Sequence, residues 1–134
     1  MANLIKNGDF SQQGNEWTET NPDNVSYVNG HCTMATPAAI TQDVPIGDGA
    51  GGQFMLSARM KTLSDSSAKI EVWPLPKGNP VGFQLLGGED WIVLSQKFEV
   101  PPSATMFRVT LEAENGKYGY FGAFFGDVTI SKLN

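Results

Sequence analysis

Three tryptophans, one histidine and one cysteine are among the few side chains in this 134-residue chain on which a functional site would centre. His31 and Cys32 are adjacent. Neighbours on a strand point to opposite faces, so the pair is badly placed to act as base and nucleophile. One histidine and one cysteine also fall short of the three or four ligands that zinc takes. Acid–base chemistry needs two carboxylates in defined geometry, and Glu71, Glu112 and Glu114 read instead as the solvated side of strands. A different chemistry suits Trp73. Between Ala68 and Trp73, Ile70 and Val72 alternate with Lys69, Glu71 and Trp73, so the indole is expected on a polar sheet face. With Arg59, Glu71, Arg108, Thr110 and Glu112 on the same face, it would offer a flat apolar ring among donors and acceptors. That combination suits recognition of a polyhydroxylated ring, not its transformation.

The elements that must position these residues are strands. Gln53–Lys61 alternates Phe54, Leu56, Ala58 and Met60 with Met55, Ser57, Arg59 and Lys61. Phe107–Glu114 sets Phe107, Val109, Leu111 and Ala113 against Arg108, Thr110, Glu112 and Glu114. Asn29-Gly30 between Val25–Val28 and His31–Met34 is a hairpin signal. Further strands are expected at 39–44, 81–86, 91–100 and 127–133, and a short one at Leu4-Ile5, where Gly8 would supply a positive φ for the bend. Thr18 to Asn24 reads as a polar loop. Gly47 to Gly52 is not a phosphate loop, because no Lys-Ser/Thr follows and the next element is a strand. Tyr118 to Gly126 is too aromatic for an ordinary loop and too rich in glycine for a plain core strand. Regular short strands with turns between them predict one all-β domain over residues 1–134, an antiparallel sandwich with Phe54, Leu56, Ile70, Val72, Phe98, Phe107, Val109, Leu111, Val128 and Ile130 in its core.

Composition agrees. Fifteen glycines, eight prolines and eight phenylalanines suit turns and strands better than helices. A net charge of −5 argues against nucleic acid or an anionic membrane as the main partner. No apolar run approaches the roughly 18 residues of a membrane span, and Met1 to Phe10 lacks the apolar centre of a signal peptide. The single Cys32 allows no internal disulfide and is expected to be buried and unreactive.

Four motifs carry a resemblance. Asn3-Leu-Ile-Lys-Asn-Gly-Asp-Phe10, followed by Trp17, resembles the opening of carbohydrate-binding modules of the galactose-binding-like jelly-roll superfamily, especially families 4, 9 and 22. Gln53–Lys61 is similar to their hydrophobe–Ser–Ala–x–hydrophobe–Lys strand. Trp91-x-x-Leu-Ser-x-x-Phe98-x-Val-Pro101 is similar to their Trp-led strand, and Gly126-Asp127-Val128 to their closing Asp-Asp-Val. The order of the motifs, spread over nearly the whole chain, is more specific than any one of them. The resemblance implies a jelly roll that binds an oligo- or polysaccharide without catalysis, on a concave sheet or at rim loops, where Tyr118 and Tyr120 are candidates. It implies core roles for Trp17 and Trp91. It also implies a structural calcium near the amino terminus, held by Asp9 and Asp127, although Ser11 and Gly126 stand where the family has acidic residues. Two alternatives remain: an assembly or adhesion domain of a phage, toxin or surface complex, including a homo-oligomer, and, with less support, a hydrolase.

Overall fold

The computed structural model describes residues 3–28 and 30–133; Met1, Ala2, Asn134 and the Asn29 of the hairpin signal lie outside them. Ten strands are described: β1 (Thr18–Thr20), β2 (Val25–Val28), β3 (His31–Ala35), β4 (Ala38–Pro45), β5 (Gly52–Thr62), β6 (Ser67–Leu75), β7 (Val81–Leu86), β8 (Ile92–Val100), β9 (Met106–Glu114) and β10 (Phe121–Lys132). They form two antiparallel five-stranded sheets, ordered β1-β4-β9-β6-β7 and β2-β3-β10-β5-β8. The sandwich expected from the sequence is therefore present.

Alternation explains why these residues make these strands. Phe54, Leu56, Ala58 and Met60 of β5 are buried, as are Phe107, Val109, Leu111 and Ala113 of β9. All ten residues assigned above to the core lie in it. The sheets are joined through aromatic rings. Phe107 of the first sheet meets Phe54 of the second edge to face at 5.1 Å between centroids, and Phe98 lies 5.7 Å from Phe107 and 5.8 Å from Phe54. Edge-to-face pairs add about 0.5–1.5 kcal/mol each beyond the area they bury. At the margin, the Tyr27 hydroxyl of β2 donates to Glu19 Oε2 of β1 at 2.6 Å, a polar tie between the sheets.

The amino-terminal segment differs from expectation. Leu4-Ile5 does not form a strand; it is sewn to β10 by single bonds. The Leu4 amide donates to the Ile130 carbonyl, and the Val128 amide to the Gly8 carbonyl. Asn3 brackets the same strand, accepting from the Ile130 amide and donating to the Val128 carbonyl. Gly8 does not supply the positive φ. Asn7 at 53° and Phe10 at 56° do, and Gly8 is required for another reason: a Cβ there would sit 2.1 Å from the Val128 carbonyl oxygen. Asn7 earns its conformation by organising the following loop, donating to the carbonyls of Gln13 and Asn15 and accepting from the Gln12 amide. Its own carbonyl accepts from Trp17 Nε1, and Trp17 is buried against Phe10, as the resemblance implies.

Two further differences concern the site. Thr18–Thr20, read as loop, is a short edge strand on β4. From Phe121 on, the segments placed at 118–126 and 127–133 merge into one twelve-residue strand, β10, whose register shifts between Gly126 and Thr129 with Asp127 at φ 46°. A bulge continues a strand that the sequence breaks at its glycine.

Gly8→Ala is expected to lower stability by roughly 1–3 kcal/mol, because the new methyl collides with backbone and no side chain can yield. An unchanged melting temperature in a thermal denaturation would show that the suture between Gly8 and Val128 is not required.

Candidate functional site

The outer face of the first sheet is assembled by register. Pairing of β4, β9 and β6 puts Asp43, Arg108 and Trp73 in one row across three strands. The next row runs Thr18, Thr41, Thr110, Glu71 and Gly82 across all five strands, and the one beyond it Thr20, Ala39, Glu112, Lys69 and Gln84. Trp73, Glu71, Arg108 and Glu112 therefore share a face, as the sequence predicts. The indole of Trp73 is 41% exposed, and its Nε1 donates to Glu71 Oε1 at 2.8 Å, which fixes the ring on the sheet. Arg108 is forked onto Asp43, with Nε 2.9 Å from Oδ1 and Nη2 3.2 Å from Oδ2. This pairing draws the Asp43 carboxyl below its ordinary value and holds the guanidinium charged.

Lys69 lies 3.7 Å from Glu114 and 4.0 Å from Glu71, and Gln84 donates to the other oxygen of Glu114. Glu112 is unlike its neighbours. Its carboxyl makes no hydrogen bond among the described residues, and it is pushed above the ordinary value by burial first and then by the charge of Glu114. Two depressions flank the face. One, of about 230 Å³, lies between Lys69, Glu71, Pro80, Gly82 and Gln84. The other, of about 320 Å³, opens where β1 stops short of the end of β4, among Glu16, Thr18, Thr41 and Asp43. Asp43, Gly82 and Gln84 were not singled out from the sequence. Alternation marks Asp43 as outward, but only strand pairing reveals that it meets Arg108.

Arg59 does not belong to this face. It lies on β5 in the other sheet, where its Nε is 3.1 Å from Asp127 Oδ2 and its guanidinium stacks 4.0 Å from the ring centroid of Trp91. Period-2 alternation gave its side of the strand correctly but could not say which sheet the strand joins. Trp91 is likewise not core. Ile92 pairs with Met60, which faces inward, so Trp91 turns outward beside Lys61 and packs on His31 at 5.4 Å and Phe124 at 6.0 Å. Gly126 leaves room for the guanidinium, since a Cβ there would be 2.8 Å from Arg59 Nη2.

Tyr118 and Tyr120 sit at neither face. They precede β10 at one end of the sandwich, 78% and 41% exposed, and Tyr120 lines a cavity of about 220 Å³ with Ser64, Asp65 and Lys117. His31 and Cys32 are divided between faces as expected. Cys32 is fully buried, and burial pushes its thiol far above the ordinary range.

The donors implied for calcium are only partly assembled. Asp127 is engaged by Arg59, and the Asp9 carboxylate accepts from the Ser11 amide at 3.0 Å, which lowers its pKa. Among the described residues, no three acidic, histidine or cysteine side chains gather where an ion could sit.

No protein-family model matches the chain, and no curated protein matches it in sequence. Solved structures do match in shape. A family 4 carbohydrate-binding module superposes with a TM-score of 0.73 at 16% identity, over 96% of this chain and 99% of that one. A family 61 module in complex with β-1,4-galactotriose gives 0.71 at 12% identity, over 98% and 99%. The enzymatically active domain of tailspike protein 4 of bacteriophage CBA120 gives 0.71 at 19% identity, over 98% of this chain but 21% of that one. The fold is thus the jelly roll of the carbohydrate-binding modules, as the four motifs imply.

Two outcomes follow from the local chemistry. Folded Glu112 keeps its proton to higher pH than the unfolded chain does, so its penalty is absent below about pH 4, the ordinary carboxylate range, and grows as pH rises through its raised value. Glu112→Gln should therefore be stabilising at pH 7 and without effect near pH 3 in denaturant titrations; destabilisation at pH 7 would mean that the carboxylate has a partner. Adding EDTA should leave the melting temperature unchanged, and a fall of several degrees would place a cation on the amino-terminal segment after all.

Proposed function

We propose that this chain is a non-catalytic carbohydrate-binding domain that holds an oligo- or polysaccharide on the outer face of the β1-β4-β9-β6-β7 sheet. The observation that carries the reading is Trp73. A large indole is exposed on a polar sheet face, braced by Glu71 through its own N–H. It offers a flat apolar platform to the C–H face of a sugar ring. Arg108, Glu71 and Thr110 lie beside it and Glu112 further along the same face, groups that can bond hydroxyls, whose desolvation is costly unless each finds a partner. The depressions at the two edges extend the same face. The shared fold with modules such as the one solved with β-1,4-galactotriose supports the reading.

The carboxylates of this face support binding better than catalysis. Asp43 is neutralised by Arg108, and Glu71 and Glu114 are tied to Trp73, Lys69 and Gln84. A second reading, an assembly role, is favoured by the likeness to part of a phage tailspike. The rim tyrosines, Tyr118 and Tyr120, are the competing location for a sugar.

Calorimetric titration with a panel of neutral oligosaccharides tests these readings together. Trp73→Ala is expected to weaken binding by about 1–3 kcal/mol while moving the melting temperature little. Tyr118→Ala and Tyr120→Ala should leave affinity nearly intact. Loss of affinity in the tyrosine variants alone would move the site to the rim, silence of the wild type towards every saccharide would favour assembly, and release of reducing ends would reveal a hydrolase.

A further inference from the structure

The face around Trp73 carries a charge pattern that neutral hydroxyls do not require. Asp43, Glu71, Glu112 and Glu114 stand on it against two cations, Lys69 and Arg108, and both cations are already engaged: Arg108 by both oxygens of Asp43, Lys69 by Glu71 and Glu114. Among the described residues of the sheet face itself no cation is left over to hold an acidic sugar, and Lys6, in the depression beside β1, faces Glu16 at 3.9 Å. Glu112, by contrast, is a partly buried carboxyl without a hydrogen-bond partner among the described residues, repelled by Glu114 and Glu71 and offset only by Lys69. Bringing three carboxylates together around one ammonium costs electrostatic energy in the empty protein, and an arriving positive charge would relieve it. Glu112 is two rows of the sheet from Trp73, about 14 Å along the strands at 3.4 Å per residue. One ligand lying along β6 and β9 can therefore reach both the indole and the carboxyl.

We infer that the saccharide taken on this face carries protonated amino groups, as a deacetylated glucosamine oligomer does, and that uronic or sulfated sugars are excluded. The inference rests on the carbohydrate-binding reading of the Trp73 face and adds the ligand's charge. The indole supplies stacking and the unpaired carboxyl supplies selectivity.

The test is calorimetry on the intact chain with hexamers of glucosamine, N-acetylglucosamine and galacturonic acid, with hexalysine as a control for charge alone. The glucosamine hexamer should bind at least about fivefold more tightly than its acetylated counterpart, a ratio of the size one partly exposed ion pair provides. Glu112→Gln should reduce that ratio to near one, 0.5 M salt should shrink it, and the galacturonate should not bind. Trp73→Ala should weaken the glucosamine hexamer but not hexalysine. If acetylated and free hexamers bind equally and both depend on Trp73, the inference is wrong and the site stands. Binding of the glucosamine hexamer that ignores both substitutions is attraction to an acidic protein, and it too overturns the inference. If no saccharide responds to Trp73→Ala, the site reading falls and takes this inference with it.

Discussion

A strand can give only every second side chain to a core that lies on one side of its sheet. The two five-stranded layers share a single core, so each strand spends one set of residues on it and leaves the alternate set to water. Most of the rest follows. Phe54, Phe98 and Phe107 lock the layers together, and the alignment of β4, β9 and β6 that their packing demands fixes which outward residues become neighbours. A slip of one residue in β6 would send Trp73 into the core and Val72 to the surface. The position of the indole is thus secured by residues that never touch a ligand.

Electrostatics then divides the two outer faces. On the first sheet the charges are mostly carboxylates, and the two cations among them are neutralised in place. On the second, Arg59 covers Trp91 and Lys61 approaches Phe124, so the aromatic surfaces there are already occupied by the protein's own side chains. Three tryptophans consequently do three different things. Trp17 fills the core and reports the loop through its bond to Asn7, Trp91 is sandwiched on a surface, and Trp73 alone stands open.

Alternation made the strands, the core and the outward side of Trp73, Glu71, Arg108 and Glu112 legible in the chain, because it depends only on neighbours in sequence. Which strands lie side by side does not. Arg59 and Arg108 look equivalent in a pattern of period two, and only the sheet order separates them. Trp91 shows the opposite failure: the resemblance to a family put it in the core, whereas the parity of Ile92 against Met60 turns it out. The sequence points to Gly8 only for a torsion it does not adopt, since the close approach of Val128 that requires a glycine comes from the far end of the chain. Asn7, with a side chain that holds three later residues of its own loop and whose carbonyl meets Trp17, leaves no periodic trace at all.

The central claim is one of place: a sugar on the sheet face that carries Trp73. Two-dimensional nitrogen–proton spectra of the labelled protein test it most directly, because three tryptophans give three indole N–H signals. On titration with the tightest-binding oligosaccharide, the Trp73 indole signal and the amides of β6 and β9 should move together while that of Trp17 stays still. An unmoved Trp73 signal, with shifts gathered instead around Tyr118 and Tyr120 or around Arg59 and Trp91, would contradict the account.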